Sequence, residues 1–260
     1  MVVPMLPLTL AIITRDEASR ISQAIASVGV VAEILVLDSG STDETVAIAR
    51  GLGARVEQVD WPGYGAQKNR ALEMAQQDWV LSIDADEVLS EELCCALNAL
   101  FEGEMEYDAY AVLRRNHWQG NPVRGGAYGP SWKTRLVRKG YGRWVGGILH
   151  ETLSTESAVG RISGFLEHTP YRSEEEFQAT AINYAGLFAE KSLMEGRRAH
   201  WFDVAVRPIL HIVKAYLLKA GFRDGKTGWK LALLESRAVA LKWSSLRSAQ
   251  AKQDNLERME

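Results

Sequence analysis

A layered α/β fold, with a mostly parallel central sheet and amphipathic helices at the C-terminal end, is predicted by three features of the sequence. Over the first hundred residues, apolar runs of strand length alternate with helical patterns, as strands joined by crossover helices require. The run Trp79-Val80-Leu81-Ser82-Ile83 then stops abruptly at Asp84-Ala85-Asp86-Glu87. Ionised side chains are seldom left unpaired inside a protein, so these acids belong at the C-terminal end of a strand, the rim where open α/β sheets bind ligands. Beyond residue 200 the composition changes to a mixture of apolar and basic residues at helical spacing.

The elements follow in order. Leu8 to Ile13 reads as a strand, and Glu17 to Val28 as a helix with Ile21, Ile25 and Val28 on one face. Glu33 to Leu37 is a second strand closed by Asp38, and Ser39 to Asp43 is a turn, with Ser41 or Thr42 as N-cap of a helix through Arg50. A strand over 54–59, a helix over 66–76 and the strand ending at Asp84 complete the alternation. A helix from Ser90 to Leu100 and a strand from Tyr107 to Arg114 come next. Residues 116–150 are rich in Gly, Trp, Tyr and Arg with little periodicity, which reads as a long functional loop region. Glu174 to Met194 is a helix opening on three acids, matched to the positive end of its dipole. From Trp201 to Phe222 the polar residues fall three or four apart and leave a broad apolar face, with Pro208 kinking or starting a helix. We place residues 1–200 in one catalytic domain, with its acceptor region from about 105, and residues 201–260 in a basic helical segment.

Composition narrows the class. A chain of 260 residues with a net charge of −3 is ordinary for a globular protein, but its charge is unevenly placed. Nine cations between Trp201 and Gln250 face only Asp203, Asp224 and Glu235, which points to an anionic membrane surface and away from nucleic acid, because the cations sit on an apolar segment. Adjacent Cys94 and Cys95 form neither a staple nor a metal-ligand spacing, and fit a reducing compartment. No apolar run reaches the roughly 18 to 20 residues of a membrane span, and Met1 to Leu10 lacks the basic start of a signal peptide, so a cytoplasmic location is expected. No Gly-x-Gly-x-x-Gly follows the first strand, which disfavours a dinucleotide-binding site.

In a strand Asp84 and Asp86 point the same way, and two hard oxygen ligands suit a divalent cation that also holds phosphates. Three further groups belong on the same rim. They are Thr14 to Glu17 after the first strand, Asp38 after the second, and the turn from Gly63 into a helix that carries Lys68 and Arg70. Carboxylates accept hydrogen bonds from a base or ribose, and cations with a metal neutralise a diphosphate. Singly, each also has a plain reading, Asp38 as a turn cap and Lys68 and Arg70 as solvated helix charges.

Taken together, Ile13-Thr14-Arg15-Asp16-Glu17, Asp38-Ser39-Gly40-Ser41-Thr42-Asp43 and Asp84-Ala85-Asp86, in that order, resemble the family 2 glycosyltransferases of the GT-A fold. More narrowly the chain resembles the lipopolysaccharide core β-glucosyltransferases of Gram-negative bacteria. That likeness rests on Trp61 to Asn69, Trp79 to Glu87, His150-Glu151 and Gly221-Phe222-Arg223-Asp224-Gly225-Lys226-Thr227-Gly228. The resemblance implies a nucleotide-sugar donor such as UDP-glucose, bound through Thr14, Glu17, Asp38 and Asp84, with Asp86 ligating Mg²⁺ or Mn²⁺. Lys68 or Arg70 would share in neutralising the diphosphate, with the choice between them left open. His168 is read either as a further metal ligand or as a hydrogen-bonded histidine ending a strand.

Inverting transfer at an anomeric carbon needs one base for the acceptor hydroxyl. Glu151 is the candidate, with His150 orienting it or touching the diphosphate, and Asp108 or Glu167 in reserve. Trp118, Tyr128, Trp132, Tyr141 and Trp144 crowd the preceding region, either to stack on sugars or to fill a core. Interleaved Arg114, Arg115, Arg124, Arg135 and Arg138 suit a phosphorylated acceptor. The expected activity is transfer of a hexose to the lipopolysaccharide inner core by an enzyme held on the cytoplasmic face of the inner membrane. The alternatives are a polyprenyl phosphate or protein acceptor, or a membrane-associated scaffold that binds nucleotide sugar without turnover.

Overall fold

Strand β1 (Leu6–Thr14) is apolar on both faces, and much of the architecture follows from that. Leu8, Leu10 and Ile12 enter one core while Ala11 and Ile13 enter another, so both sides of the strand must be covered. The structure is a computed structural model describing residues 5–147 and 150–257, with the side chains of residues 147, 150, 256 and 257 outside that description. Its contacts divide the chain into two units, Met1–Arg115 with Ser131–His168, and Asn116–Pro130 with Thr169–Glu260.

In the first unit β1 is followed by α1 (Ile21–Ala26), β2 (Val31–Asp38), α2 (Thr45–Gly51), β3 (Arg55–Gln58), α3 (Tyr64–Met74), β4 (Trp79–Asp84), β5 (Glu87–Leu89) and α4 (Glu91–Glu102). The strand β6 (Ala109–Trp118) leads into the second unit, where it pairs with the short β7 (Asn121–Pro122). The chain then returns as β8 (Ser131–Arg138), β9 (Arg143–Gly147), β10 (His150–Ser154) and β11 (Val159–His168). The sheet runs β3-β2-β1-β4-β8-β6-β11-β5, parallel from β3 to β4 and antiparallel where β8 meets β4 and β6. Helices α1 and α4 cover one face through Ile21, Ile25, Leu93 and Leu97, and α3 covers the other through Ala71 and Leu72. The α/β class with a mostly parallel half of the sheet is therefore as expected. Within residues 116–150, read as irregular, Ser131–Arg138 and Arg143–Gly147 are strands, because interspersed glycine and aromatic residues mask the period-2 pattern that cross-strand pairing reveals.

Two local expectations change. The first helix begins at Ile21, four residues after Glu17. Asp16 adopts a left-handed backbone (φ 54°), and the N–H groups of Asp16, Glu17 and Ala18 donate to Ser41, Thr45 and Asp43, so they are engaged before a helix starts. Neither Ser41 nor Thr42 caps α2. Their side chains bond Asp38 and Asp16, while the Asp43 carboxylate accepts from the N–H of Thr45, where α2 opens.

The second unit is helical, with α5 (Glu174–Met194) and α6 (Trp201–Ile212) packed on α7 (Gly225–Glu257). It comprises Asn116–Pro130 and Thr169–Glu260. Trp118, Phe177, Leu231 and Leu234 form one core and Ala189, Ala199 and Leu246 another. Helix α6 starts at Trp201 and runs through Pro208, continuing as a π-helical turn (Val213–Leu218) in which the Lys219 N–H donates to the Lys214 carbonyl at 2.8 Å. The motif Gly221 to Gly228 here has a structural role. The Asp224 carboxylate accepts from the N–H groups of Arg124 and Gly125 at 2.9–3.0 Å, and a Cβ on Gly228 would lie 1.9 Å from the Gly221 carbonyl oxygen.

That contact reverses an ordinary expectation. Gly to Ala inside a helix normally stabilises by about 1 kcal/mol. At Gly228 the added methyl has no room against backbone, and overpacking of this kind costs about 1–3 kcal/mol. Gly228→Ala is expected to lower the midpoint of thermal unfolding followed by circular dichroism, and a raised midpoint would show that the contact yields.

Candidate active site

The site forms where β4 ends. The Asp84 N–H donates to Glu87 Oε2 at 3.0 Å, folding the Asp84–Glu87 turn back on itself. Glu87 is fully buried and receives Arg135 at 2.5 Å and Arg114 at 3.5 Å. Arg135 reaches it from a β-bulge. The register passes from Tyr110↔Leu136 to Ala111↔Thr134, leaving Arg135 as the extra residue, and such bulges re-aim side chains beside functional sites.

Helix α3 supplies the central cation. Gln67, Lys68, Ala71 and Leu72 form its buried face, so Lys68 is carried inward with only 2% of its surface exposed. Its Nζ lies 2.8 Å from Asp84 Oδ1 and 3.1 Å from Glu151 Oε1, and 4.5 Å above the Trp144 ring. Arg135 meets the other Asp84 oxygen at 3.2 Å. Three cations (Lys68, Arg114, Arg135) thus balance three carboxylates (Asp84, Glu87, Glu151), as a buried polar cluster requires. Burial favours the neutral acid at Asp84, but the Lys68 and Arg135 charges outweigh it and hold its carboxyl well below the usual carboxylate range.

Beside this cluster Asp86 Oδ2 lies 3.2 Å from His168 Nε2 and 4.0 Å from Arg20, whose guanidinium also clasps Glu17. No group of three or more His, Cys, Asp or Glu that could hold a metal occurs among the described residues. The Asp86 carboxylate and His168 imidazole nevertheless fit a Mg²⁺ or Mn²⁺ that takes its remaining ligands from phosphate and water. The neighbouring rim is a stitched pair of loops. Asp16 accepts from Thr42, Glu17 N–H donates to Thr45, and Ser39 N–H donates to the Thr14 carbonyl. The buried Thr14 hydroxyl has no hydrogen-bond partner among the described residues.

Several sequence expectations are thereby placed. Lys68, Asp84 and Glu151 meet directly, and Asp86 meets His168. Arg70 does not join them. Two residues along a helix turn the side chain by about 200°, and Arg70 pairs with Asp60 at 2.9 Å. Asp38 is fully buried and its oxygens accept from Gly40 and Ser41, so it orders the turn. The side chain of His150 lies outside the described residues. Glu167 is taken by Arg115, and Asp108 faces Arg138. Of the aromatic residues, Trp118 and Trp144 are buried in cores, whereas Trp132 and Tyr141 are exposed. Trp61 and Tyr64 form an exposed edge-to-face pair at the start of α3 that the sequence reading did not single out. It also missed Glu87, Arg135 and Trp144 as members of the charged cluster. Glu87 adjoins the acidic pair and was legible there, but a bulge leaves no mark in a sequence.

A family model described as glycosyl transferase family 2 matches residues 9–155. An uncharacterized glycosyltransferase of Rickettsia prowazekii (strain Madrid E) is 32% identical over 94% of this chain and 88% of its own. A lipopolysaccharide core biosynthesis glycosyltransferase, LpsC of Rhizobium meliloti (strain 1021), is 30% identical over 87% of each. Among solved structures, glucosyl-3-phosphoglycerate synthase from Mycobacterium tuberculosis, in complex with Mn²⁺ and UDP-glucose, aligns at 28% identity over 43% of this chain and 44% of that one, with a TM-score of 0.35. The family match spans the loops, the acidic strand end and Glu151, and the chain belongs to glycosyltransferase family 2.

Proposed function

We propose that this glycosyltransferase transfers a hexose, glucose from UDP-glucose, to the inner core of lipopolysaccharide with inversion at the anomeric carbon. The observation that carries the mechanism is the Lys68 bridge, which brings Glu151 of β10 to the Asp84 end of β4. Glu151 takes the proton of the acceptor hydroxyl. The acceptor oxygen then bonds to the anomeric carbon as the bond from that carbon to the diphosphate breaks, and the electron pair leaves with UDP. Lys68 holds Glu151 in place by bridging it to Asp84. Thr14 and the Glu17 and Asp38 loops receive the nucleoside. Asp86, with His168, would hold a divalent cation whose chemistry is Lewis-acid stabilisation of the departing diphosphate. LpsC, named for lipopolysaccharide core biosynthesis, supports the acceptor class.

We further propose attachment to an anionic membrane surface through α6 and its π-helical continuation. That helix is inverted relative to a normal surface helix. Its buried face carries Asp203, Pro208 and Ala215, with His211 bonded to Glu235 of α7 at 2.9 Å. Its exposed face carries Trp201, Phe202, Ile209 (61% exposed), Leu210, Leu217 and Leu218 (78%), bordered by exposed Lys214 and Lys219. An apolar face with cations at its edge suits the headgroup region of anionic lipid. No helix among the described residues is long and apolar enough to cross a membrane.

With UDP-glucose, Mg²⁺ and deep-rough lipopolysaccharide, the wild-type protein is expected to release UDP in an acceptor-dependent way. Glu151→Gln should lower kcat by about 10²–10⁴-fold while UDP-glucose still binds in calorimetry, and near-normal turnover would remove Glu151 as the base. Asp86→Ala should abolish the Mg²⁺ dependence of UDP binding, whereas an unchanged dependence would place the metal elsewhere. The double variant Ile209→Glu/Leu218→Glu, folded by circular dichroism, should no longer co-sediment with phosphatidylglycerol vesicles. Retained co-sedimentation would exclude this face as the anchor.

A further inference from the structure

A further cation of the first unit lies beside the balanced cluster without belonging to it. Lys133, half-buried on β8, has no hydrogen bond or ion pair among the described residues. The β6–β8 register pairs Val112 with Lys133 and Arg114 with Ser131, so Lys133 and Arg114 project from the same face as diagonal neighbours, about 7 Å apart. Arg114 spends one end of its guanidinium on Glu87, while its Nε is buried without a partner among the described residues. The buried Nε of Arg135 is likewise unpartnered. Buried donors are normally satisfied, and those left open in a native site mark where a ligand or water completes the set.

The electrostatics agree. The carboxylates near Lys133, Glu87 and Glu151, already face the cations of the balanced cluster. Burial, with Arg114 and Arg135 nearby, pulls the Lys133 amine below the ordinary lysine range, so an arriving anion restores what the fold has strained. The location separates two sources of that anion. The stitched loops that receive the nucleoside follow β1 and β2 in the parallel half of the sheet, whereas Lys133 and Arg114 lie on the antiparallel strands β8 and β6.

We propose that Lys133, with Arg114 beside it, binds an anionic substituent, a phosphate or carboxylate, on the acceptor sugar. This deepens the acceptor reading above and rests on it.

The test uses the full chain and Lys133→Met, an apolar side chain of similar length, with Lys133→Arg as the charge-conserving control. Inorganic phosphate is titrated calorimetrically into each protein in the presence of Mg²⁺ and saturating UDP. Phosphate should bind the wild type, weaken about tenfold or more in Lys133→Met and recover in Lys133→Arg, while UDP affinity stays within twofold. With acceptor, Lys133→Met should raise KM for phosphorylated deep-rough lipopolysaccharide and not for the same acceptor after phosphate removal by hydrofluoric acid. Equal phosphate binding by wild type and Lys133→Met, or none by either, overturns the proposal. So does a matching loss of UDP affinity, which would assign Lys133 to the donor diphosphate. If the wild type takes neither lipopolysaccharide, the acceptor reading fails separately, and the phosphate titration still decides whether Lys133 is an anion subsite.

Discussion

Lys68 is a lysine almost removed from water, and a buried ammonium is tolerated only where carboxylates meet it. Those carboxylates come from chain positions 84 and 151, on strands that do not pair with each other. Docking α3 on the sheet therefore requires the end of β4 and strand β10 to be in place together. Removing one partner would strand a charge in the interior at a cost of about 3–5 kcal/mol. The geometry of the charged cluster and the packing of the first unit are in this sense one requirement. Trp144 contributes from below, with its ring under Lys68 and its backbone tied to Asn69 of α3 through hydrogen bonds of 2.8 and 2.9 Å.

The two halves of the sheet divide the chemistry. The parallel half presents loops from β1 and β2 that are bonded to each other, a rim built from short polar side chains and backbone N–H groups. The antiparallel half presents long cationic side chains, Arg114, Lys133 and Arg135, on strands whose register is shifted by a bulge. Glu87 joins the halves, accepting from the backbone of Asp84 on one side and from the two arginines on the other. Its burial explains why a third acid follows Asp84 and Asp86. It anchors the turn on which they stand.

The helical unit works by a different rule. Its cores are modest clusters around Trp118 and Leu246, and its tightest packing is between glycines and backbone, at Gly125, Gly221 and Gly228. Close backbone approach leaves α6 free to point its large side chains outward, since small and polar residues already complete its inner face. The apolar face is thus a consequence of which residues α7 accepts.

The alternation of strands and helices to residue 102, the placing of Asp84 and Asp86 at a strand end, and the apolar breadth of the segment after Trp201 were legible in the sequence, because each depends on local periodicity. Glu151 was legible as a candidate through its neighbours. What required the folded chain was every choice between chemically equal side chains. Lys68 rather than Arg70 enters the site because helical phase relative to the sheet decides it. Trp144 supports the site while Trp132 stays exposed, because strand register decides it. Asp38 turns inward to order its loop, because three donors of that loop converge on it. The sequence by itself determined the family of fold and the residue types at its rim. Tertiary structure decided which of those residues touch, since contact between positions 68, 84 and 151 depends on long-range packing that no local pattern records.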